Sequence, residues 1–376
     1  MEDGARRYHR LQFWLGVGRL ALTVGVLAAC LLTDATLAIR QWAGAAGHPP
    51  WLQVAELVVF LSIAFRLVAA PVTWLAGYWL PRRYGLLHQA FTGWAFDHLK
   101  SVTLSGTLTL VGAEVVYALL RVTAWWWLWG AAAFFIGFAL LAKVVPVWIV
   151  PLFYRLSPLH DAALRERLLA LAARIGVPVL GVWVVDQSRK SRTANAALTG
   201  LGRTRRILLF DTLLKRFAPD QVEAILAHEL AHHVHGDLWR ALALQGALTL
   251  VTFWLTDGLL QSGSAWLGLD GPADPAGLPL FALVLVGLGL AALPLSNSHS
   301  RWVERRADDF ALRVTQNPEG FIAAMDGLAD LNLAERRPHP VKEFFLFSHP
   351  SLDRRIERAR RFASESGRAV AHRRVV

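Results

Sequence analysis

The stretch ILAHELAHHVHGDLW, Ile225 to Trp239, sets four histidines and a glutamate within eight positions, immediately before a long apolar run. On a helix, His228 and His232 are four residues apart and share a face. Two imidazoles stacked that way can take adjacent corners of a zinc tetrahedron. Glu229, next to the first, can point at the open coordination position, where a carboxylate base is wanted. The spacing is H-E-x-x-H. One protein ligand is still missing, since a catalytic zinc takes three and keeps the fourth position for water. Position 238 is Leu, which excludes a third histidine at the metzincin spacing. His233, adjacent to His232, faces elsewhere, and His235 is close enough to His232 only to support it from behind.

Composition narrows where the missing ligand can come from. The chain has 376 residues, 55% of them hydrophobic, with a mean hydropathy of +0.38, too apolar for an ordinary soluble enzyme. Sixteen Trp residues suit membrane–water interfaces. Cys30 is the lone cysteine, which excludes an intrachain disulfide framework. The net charge of +11 does not point to nucleic acid, because the basic residues sit beside apolar spans, where anionic lipid and topology account for them.

Six apolar stretches approach the roughly 20 residues that cross a bilayer: 14–38, 52–78, 102–121, 124–152, 239–259 and 279–296. Arg66 and Lys143 lie within the second and fourth. They either snorkel or face a wet interior, and the second option implies a cavity. MEDGARRYHR precedes the first span, PRRYG and HLK lie between the second and third, and RLSP, RER, RK and GRTRR follow the fourth. QSGSAWLGLDGPADPAGL, between the fifth and sixth, has no Lys or Arg. The positive-inside rule then places both termini, the 79–100 loop and the 153–238 segment in the cytoplasm. The expected units are a membrane region over 1–152 with four helices, a cytoplasmic α/β segment over 153–238, a transmembrane hairpin over 239–296 and a cytoplasmic segment over 297–376.

Within the α/β segment, DAALRERLLALAARIG predicts a helix stopped by Gly176, and VLGVWVVD predicts a strand. RRILLFDTLL predicts a strand that turns into helix near Asp211, after the turn TGLGRT. The helix carrying the histidines is predicted to start at Asp220 as N-cap, with Glu223 three residues on. It feeds into span five with almost no linker. Residues 301–327 and 349–363 are predicted to be helical.

The hairpin answers the ligand question. Span five leaves the cytoplasmic side just after Trp239, and span six returns there near Asn297. The chain then reads NSHSRWVERRADDFALR. Glu304 lies about one and a half turns past the returning span, at the depth of the histidines, and is the predicted third ligand. Asp308, one turn further on the same face, is placed to orient a ligand imidazole. The competing reading makes Glu304 a salt-bridge partner of Arg301 or Arg305.

HELAH (228–232), SNSHSRWVERRAD (296–308), NAALTGLGRTRRILLFDTLL (195–214), NPEGFIAAM, LNLAERRPHP and FSHPSLDRRIER (347–358) together resemble the Ste24-related CaaX prenyl protease family, integral-membrane zinc metalloendopeptidases of the M48 group. The resemblance covers nearly the whole chain after the first span. It implies a mainly α polytopic membrane protein, six or seven membrane helices around a hollow chamber, and a small cytoplasmic α/β zinc-peptidase domain assembled from two chain segments. It also implies that His349 and Arg355 face the zinc site, donating hydrogen bonds to the reacting oxyanion. Ala197 stands where the family often has an aromatic, Ser351 where it has a second Pro, and Arg354 where many members have Glu. These departures bear on substrate preference, not on the ligands or the base.

The function expected is zinc-dependent hydrolysis of membrane-associated peptides or proteins, prenylated or unmodified, with one Zn²⁺ per chain. Substrate is expected to lie as an added strand near residues 192–210, where Asn195 either fixes one main-chain group or caps the turn. The protein is expected to act as a monomer in the inner membrane of a cell, contacting lipids and no nucleic acid. The alternatives are a membrane quality-control peptidase for unmodified substrates and, less favoured, a non-enzymatic zinc-binding transporter or sensor. The last of these would place paired ionisable groups across mid-bilayer helices or show internal repeats.

The orientation is directly testable. In a chain lacking Cys30, Ala265→Cys should react with an impermeant thiol reagent on intact cells, and Ala90→Cys should react only after permeabilisation. Labelling of both before permeabilisation would break the six-span topology.

Overall fold

The computed structural model describes residues 2–200, 202 and 205–373, so Leu201, Arg203 and Thr204 of the TGLGRT turn lie outside the described residues. Helix α1 (Glu2–Leu32) ends beside Asp34, whose left-handed backbone, φ 54°, starts α2 (Ala35–Ala45). Pro50 opens α3 (Pro50–Trp74), where a missing N–H is harmless. Further along, Pro71 removes a hydrogen bond inside the helix, and a widened π turn over Leu75–Trp79 follows before α4 (Leu80–Arg83). Then come α5 (Phe91–Val122), α6 (Trp126–Val144) and, past a second π turn, α7 (Val150–Phe153).

The α/β unit begins with β1 (Leu156–Pro158), α8 (Ala162–Ile175), β2 (Val182–Val185), β3 (Ala196–Thr199), β4 (Arg206–Phe210) and α9 (Asp211–Leu214). It continues through α10 (Pro219–Val234) into α11 (Asp237–Trp266). After α12 (Leu278–Thr315), α13 (Pro318–Leu331), α14 (Pro340–Leu346) and α15 (Leu352–Arg373) return to it.

Among the described residues, six helical segments are long and apolar enough to cross a membrane: Gly4–Leu32, Pro50–Arg83, Phe91–Val122, Trp126–Val144, Asp237–Trp266 and Pro275–Thr315. The number expected from hydropathy holds, with the ends shifted by caps that hydropathy does not register. Each packs chiefly on two others, in the order α1, α3, α5, α6, α11, α12 and back to α1, which closes a ring.

The ring is solid at one end only. Leu27 and Cys30 of α1, Val54 to Leu61 of α3, Tyr117 of α5, Trp126 of α6, Phe253 and Leu260 of α11, and Phe281 of α12 form one buried cluster. All lie toward the ends remote from the histidines. Trp126 packs on Phe253 and Phe281 and donates its Nε1–H to Asp257 Oδ1 at 2.6 Å. Between this plug and the α/β unit, residues 6–26 of α1, 91–115 of α5, 132–144 of α6, 243–252 of α11 and 282–300 of α12 include no buried side chain. Helices that pack at one end and stand apart over the other half enclose a hollow.

The four strands form a sheet in the order β1-β2-β4-β3, with β2 and β4 parallel and both outer pairs antiparallel. Helices α8 and α10 pack together, α8 against β2 and α10 against β3. Leu168, Ile207, Leu209, Leu226 and Leu230 are fully buried between them, joined by Leu312 and Phe321 from the later segment. The α/β unit is therefore built from two stretches of chain with the membrane hairpin between them.

Two helix ends differ from expectation. Helix α10 starts after Ala218, not Asp220: Pro219 takes the first helical position, and the Ala218 N–H donates to Gln221 Oε1 at 3.1 Å. Asp220 instead accepts from Asn317 Nδ2 at 3.2 Å. The helix predicted over 301–327 is broken at Gln316, φ 49°, where Asn317 caps the Gly320 N–H ahead of Pro318. Capping chemistry outweighs continuous apolar periodicity at both places.

Phe253 is 4% exposed and fits so closely that a Cβ on Gly130 would meet its ring at 2.8 Å. Phe253→Ala should cost about 3–5 kcal/mol of stability through the cavity it leaves. Thermal unfolding in detergent should register the loss, with zinc content per folded monomer unchanged.

Candidate active site

Helix α10 presents His228, Glu229 and His232 on a helix otherwise buried from Val222 to Ala231. It stops at Val234, and Gly236, at φ 65°, turns the chain into α11 without a linker. Helix α12 comes back through the ring and continues unbroken past the membrane segment, carrying Glu304 and Asp308 to the same place.

Glu304 Oε2 lies 3.2 Å from His228 Nε2, and Oε1 lies 3.6 Å from His232 Nε2. The candidate ligand atoms of the three residues all fall within 4.8 Å of one another. Tetrahedral bonds of about 2.1 Å to a central ion set ligand atoms about 3.4 Å apart. Glu304 Oε2 is buried and makes no properly directed hydrogen bond. Atoms that approach without bonding one another fit a shared ion, and two imidazoles with a carboxylate suit a zinc-like cation.

Each imidazole is held from behind. His228 Nδ1 is 2.9 Å from Asp308 Oδ1, and His232 Nδ1 is 3.1 Å from Asp237 Oδ2. Both rings therefore turn Nε2 toward the centre, the tautomer a metal requires. Burial works to lower the His228 pKa, but the Asp308 and Glu304 carboxylates outweigh it and raise it to about 9. Asp308 is itself fixed by Arg355, which donates Nε–H to Oδ2 at 2.9 Å and Nη2–H to Oδ1 at 2.6 Å.

Arg355, expected to face the reacting carbonyl, thus forks onto a carboxylate behind a ligand. His349 does stand at the front, its Nε2 3.3 Å from Glu304 Oε1 and its side chain more than half exposed. Burial pushes the Glu229 carboxyl above the ordinary range. Among the described residues no hydrogen bond or ion pair engages that carboxylate.

Arg301 does not pair with Glu304. It is buried and donates Nη1 hydrogens to the carbonyls of Glu343, Phe344 and Phe347 at 3.0, 3.2 and 2.7 Å. That anchors α14, as does Asn297, whose Nδ2–H reaches the Phe345 carbonyl at 2.6 Å. Glu343 then accepts from the Ser351 N–H and from Arg354, both at 3.2 Å, fixing the loop that presents His349. His233 points away and accepts from Arg205 Nε at 3.2 Å. His235 packs on Phe310 and stands 4.0 Å from Asp237. Asn195 is exposed at the start of edge strand β3, its Oδ1 accepting from the Ala196 N–H at 2.9 Å.

Asp237 was not singled out from sequence. Its signal is the Gly-Asp pair directly after the histidine helix, where a left-handed glycine swings the next side chain back over the last turn.

A family model for peptidase family M48 matches residues 158–363, more than half of the chain. The chain belongs to peptidase family M48. A second model, described as the CAAX prenyl protease N-terminal region with five membrane helices, matches residues 3–155. In that stretch four helices are long enough to span, and α2, with 11 residues, is too short. The uncharacterized metalloprotease YhfN of Bacillus subtilis is 31% identical over 335 residues, 88% of this chain and 78% of that one. CAAX prenyl protease 1 of Saccharomyces cerevisiae is 27% identical over 81% of this chain and 72% of its own. The crystal structure of S. mikatae Ste24p matches with a TM-score of 0.85 at 23% identity, covering 94% of this chain and 88% of that one, and shows the same fold. This M48 member is therefore a membrane metallopeptidase of the CAAX prenyl protease kind.

The ligand assignment is tested by metal content. After identical purification and dialysis against a weak chelator, Glu304→Ala should lose zinc to the extent that His232→Ala does. A surface glutamate contributes only about 0–1 kcal/mol through ion pairs, and its loss would leave zinc in place. Full occupancy in folded Glu304→Ala would remove it from the ligand set.

Proposed function

We propose that this protein is a zinc-dependent endopeptidase that cuts extended segments of membrane-associated proteins. The active site is assigned to the cytoplasmic face of the inner membrane, and one Zn²⁺ is held per chain by His228, His232 and Glu304. The observation that carries this reading is the convergence of those three side chains, with each imidazole backed by its own carboxylate. Bound there, zinc supplies a Lewis acid that polarises a carbonyl and brings the pKa of water toward neutrality.

Glu229 takes the proton of the attacking water and returns it to the leaving amine nitrogen. A carboxyl already pushed up by burial is better matched to both halves of that transfer than an ordinary one. His349, exposed in front of Glu304, donates a ring N–H to the carbonyl oxygen as it gains negative charge. Arg355 acts at one remove, holding Asp308 and through it the His228 ring.

The substrate backbone adds to the free edge of β3, the outermost strand on the side of α10, with Asn195 at its start to engage a main-chain group. A catalytic helix that runs straight into a membrane helix favours substrates tethered at the bilayer. The names of the yeast and plant relatives make a prenylated C terminus one substrate class to test. The soluble unit comprises residues 153–238 and 297–376, and the chain acts as a monomer.

Glu229→Gln should abolish peptide cleavage while zinc content stays near wild type, since all three ligands remain. Near wild-type turnover in the purified variant would remove Glu229 as the base. Comparing membrane-peptide fragments from active and Glu229→Gln protein identifies the substrate class. Cleavage confined to three residues from a prenylated terminus would narrow the role to that of a CaaX protease.

A further inference from the structure

Arg66, noted above as a charge inside a membrane span, does not stand alone. It lines a cavity of about 530 Å³ together with Arg19 of α1 and His98 of α5. Gln12, Trp94 and Ser101 also line it, and no Asp or Glu does. Both guanidiniums lie within Coulombic reach of the His98 ring, which Trp94 stacks against at 5.2 Å. Arg66 makes one long hydrogen bond, Nη2–H to the Val102 carbonyl at 3.5 Å. Among the described residues the Arg19 side chain has no hydrogen bond or ion pair.

The cavity lies inside the ring. Three consecutive helices, α1, α3 and α5, line it, and α1 and α5 flank α3. A space touching all three sits on their concave side, in the hollow half beyond the plug. Cations buried in membrane helices normally pair with acids or backbone carbonyls, and those that do not mark a path for a charged ligand. Two guanidiniums without a carboxylate partner, one of them held only by a long bond to a carbonyl, face one space with no acid and repel each other until an anion enters.

We infer that Arg19, Arg66 and His98 form an anion site inside the chamber that receives the terminal carboxylate of a peptide. The choice of occupant rests on the endopeptidase reading. A lipid headgroup is disfavoured because α1, α3 and α5 of the ring all wall the cavity, whereas peptides are what the chamber admits on that reading. Side-chain acids vary from peptide to peptide, but a terminal carboxylate is present on every substrate and on both products of every cut. Guanidinium groups bind carboxylates through paired N–H donors, which a carboxamide cannot match.

The test uses the full chain carrying Glu229→Gln, so that bound peptide is not consumed. Two dye-labelled apolar hexapeptides, identical except that one ends in a free carboxylate and the other in a carboxamide, are titrated by fluorescence anisotropy. The acid should bind about tenfold more tightly than the amide. Adding Arg19→Gln and Arg66→Gln should bring that ratio to near one with the amide affinity unchanged, and Arg19→Lys with Arg66→Lys should restore part of it. If the double Gln variant does not fold, Arg66→Gln alone must lower the ratio at least about threefold.

Equal binding of acid and amide, or a ratio untouched by the Gln variants, overturns the assignment. Displacement of the acid peptide by phosphatidylglycerol but not by phosphatidylcholine gives the guanidiniums to a lipid headgroup and overturns it too. Hydrolysis of an internal bond of the acid peptide by the unmutated chain is measured separately. Its absence, with the acid–amide difference intact, would sink the endopeptidase reading and leave the anion site standing.

Discussion

Asp308 carries a negative charge to a position 1% exposed, and Arg355 is what makes that charge tolerable. Between them they tie α12, α15 and α10 into one unit, because the oxygen that accepts from Arg355 also meets His228. Removing either partner would strand a buried charge, a loss of about 3–5 kcal/mol in comparable pairs. The same ion pair fixes which nitrogen of His228 faces the centre. Stability of the α/β unit and readiness of the candidate metal site are therefore one interaction seen from two sides. Asp237 repeats the device for His232 from the first turn of α11.

That arrangement depends on the membrane hairpin. Helices α11 and α12 leave and re-enter the α/β unit within one site, so the third candidate ligand is delivered by a helix that has crossed the bundle without a break. The continuity of α12 from Leu278 to Thr315 makes Glu304 a rigid extension of a spanning segment rather than a loop residue. Packing in the plug and geometry at the metal site are linked through that single rod. Arg301, three residues before Glu304, anchors α14 by its carbonyls and so sets where His349 stands.

Much of this was legible in the residues. Spacing alone put His228 and His232 on one face, and the absence of basic residues between spans five and six argued for a hairpin that brings Glu304 back. Asp308 followed from its one-turn offset. What periodicity could not carry was anything decided by caps or by long-range pairing. The start of α10 turned on Pro219, and the break at Gln316 on a left-handed residue. Arg355 was assigned by motif to the front of the site, but only the fold reveals that a buried carboxylate is nearer. Asp237 escapes a reading by spacing because its position over His232 depends on the left-handed turn at Gly236. The hollow was implied by resemblance, yet its asymmetry, packed at one end and open at the other, has no signature in hydropathy.

That asymmetry has an electrical meaning. From Val54 to Leu61 the plug spans about 10 Å along α3, whereas the hydrocarbon layer is about 30 Å thick. With water filling the hollow, a membrane potential falls across the plug and hardly at all along the chamber. A charge crossing a full bilayer gains or loses about 2.3 kcal/mol per 100 mV, but a peptide moving between the chamber and the metal site crosses almost none of that field. Although its walls are membrane helices, the chamber belongs electrically to the compartment its candidate metal site faces, and the buried plug that holds Trp126 and Phe253 stands between the two potentials.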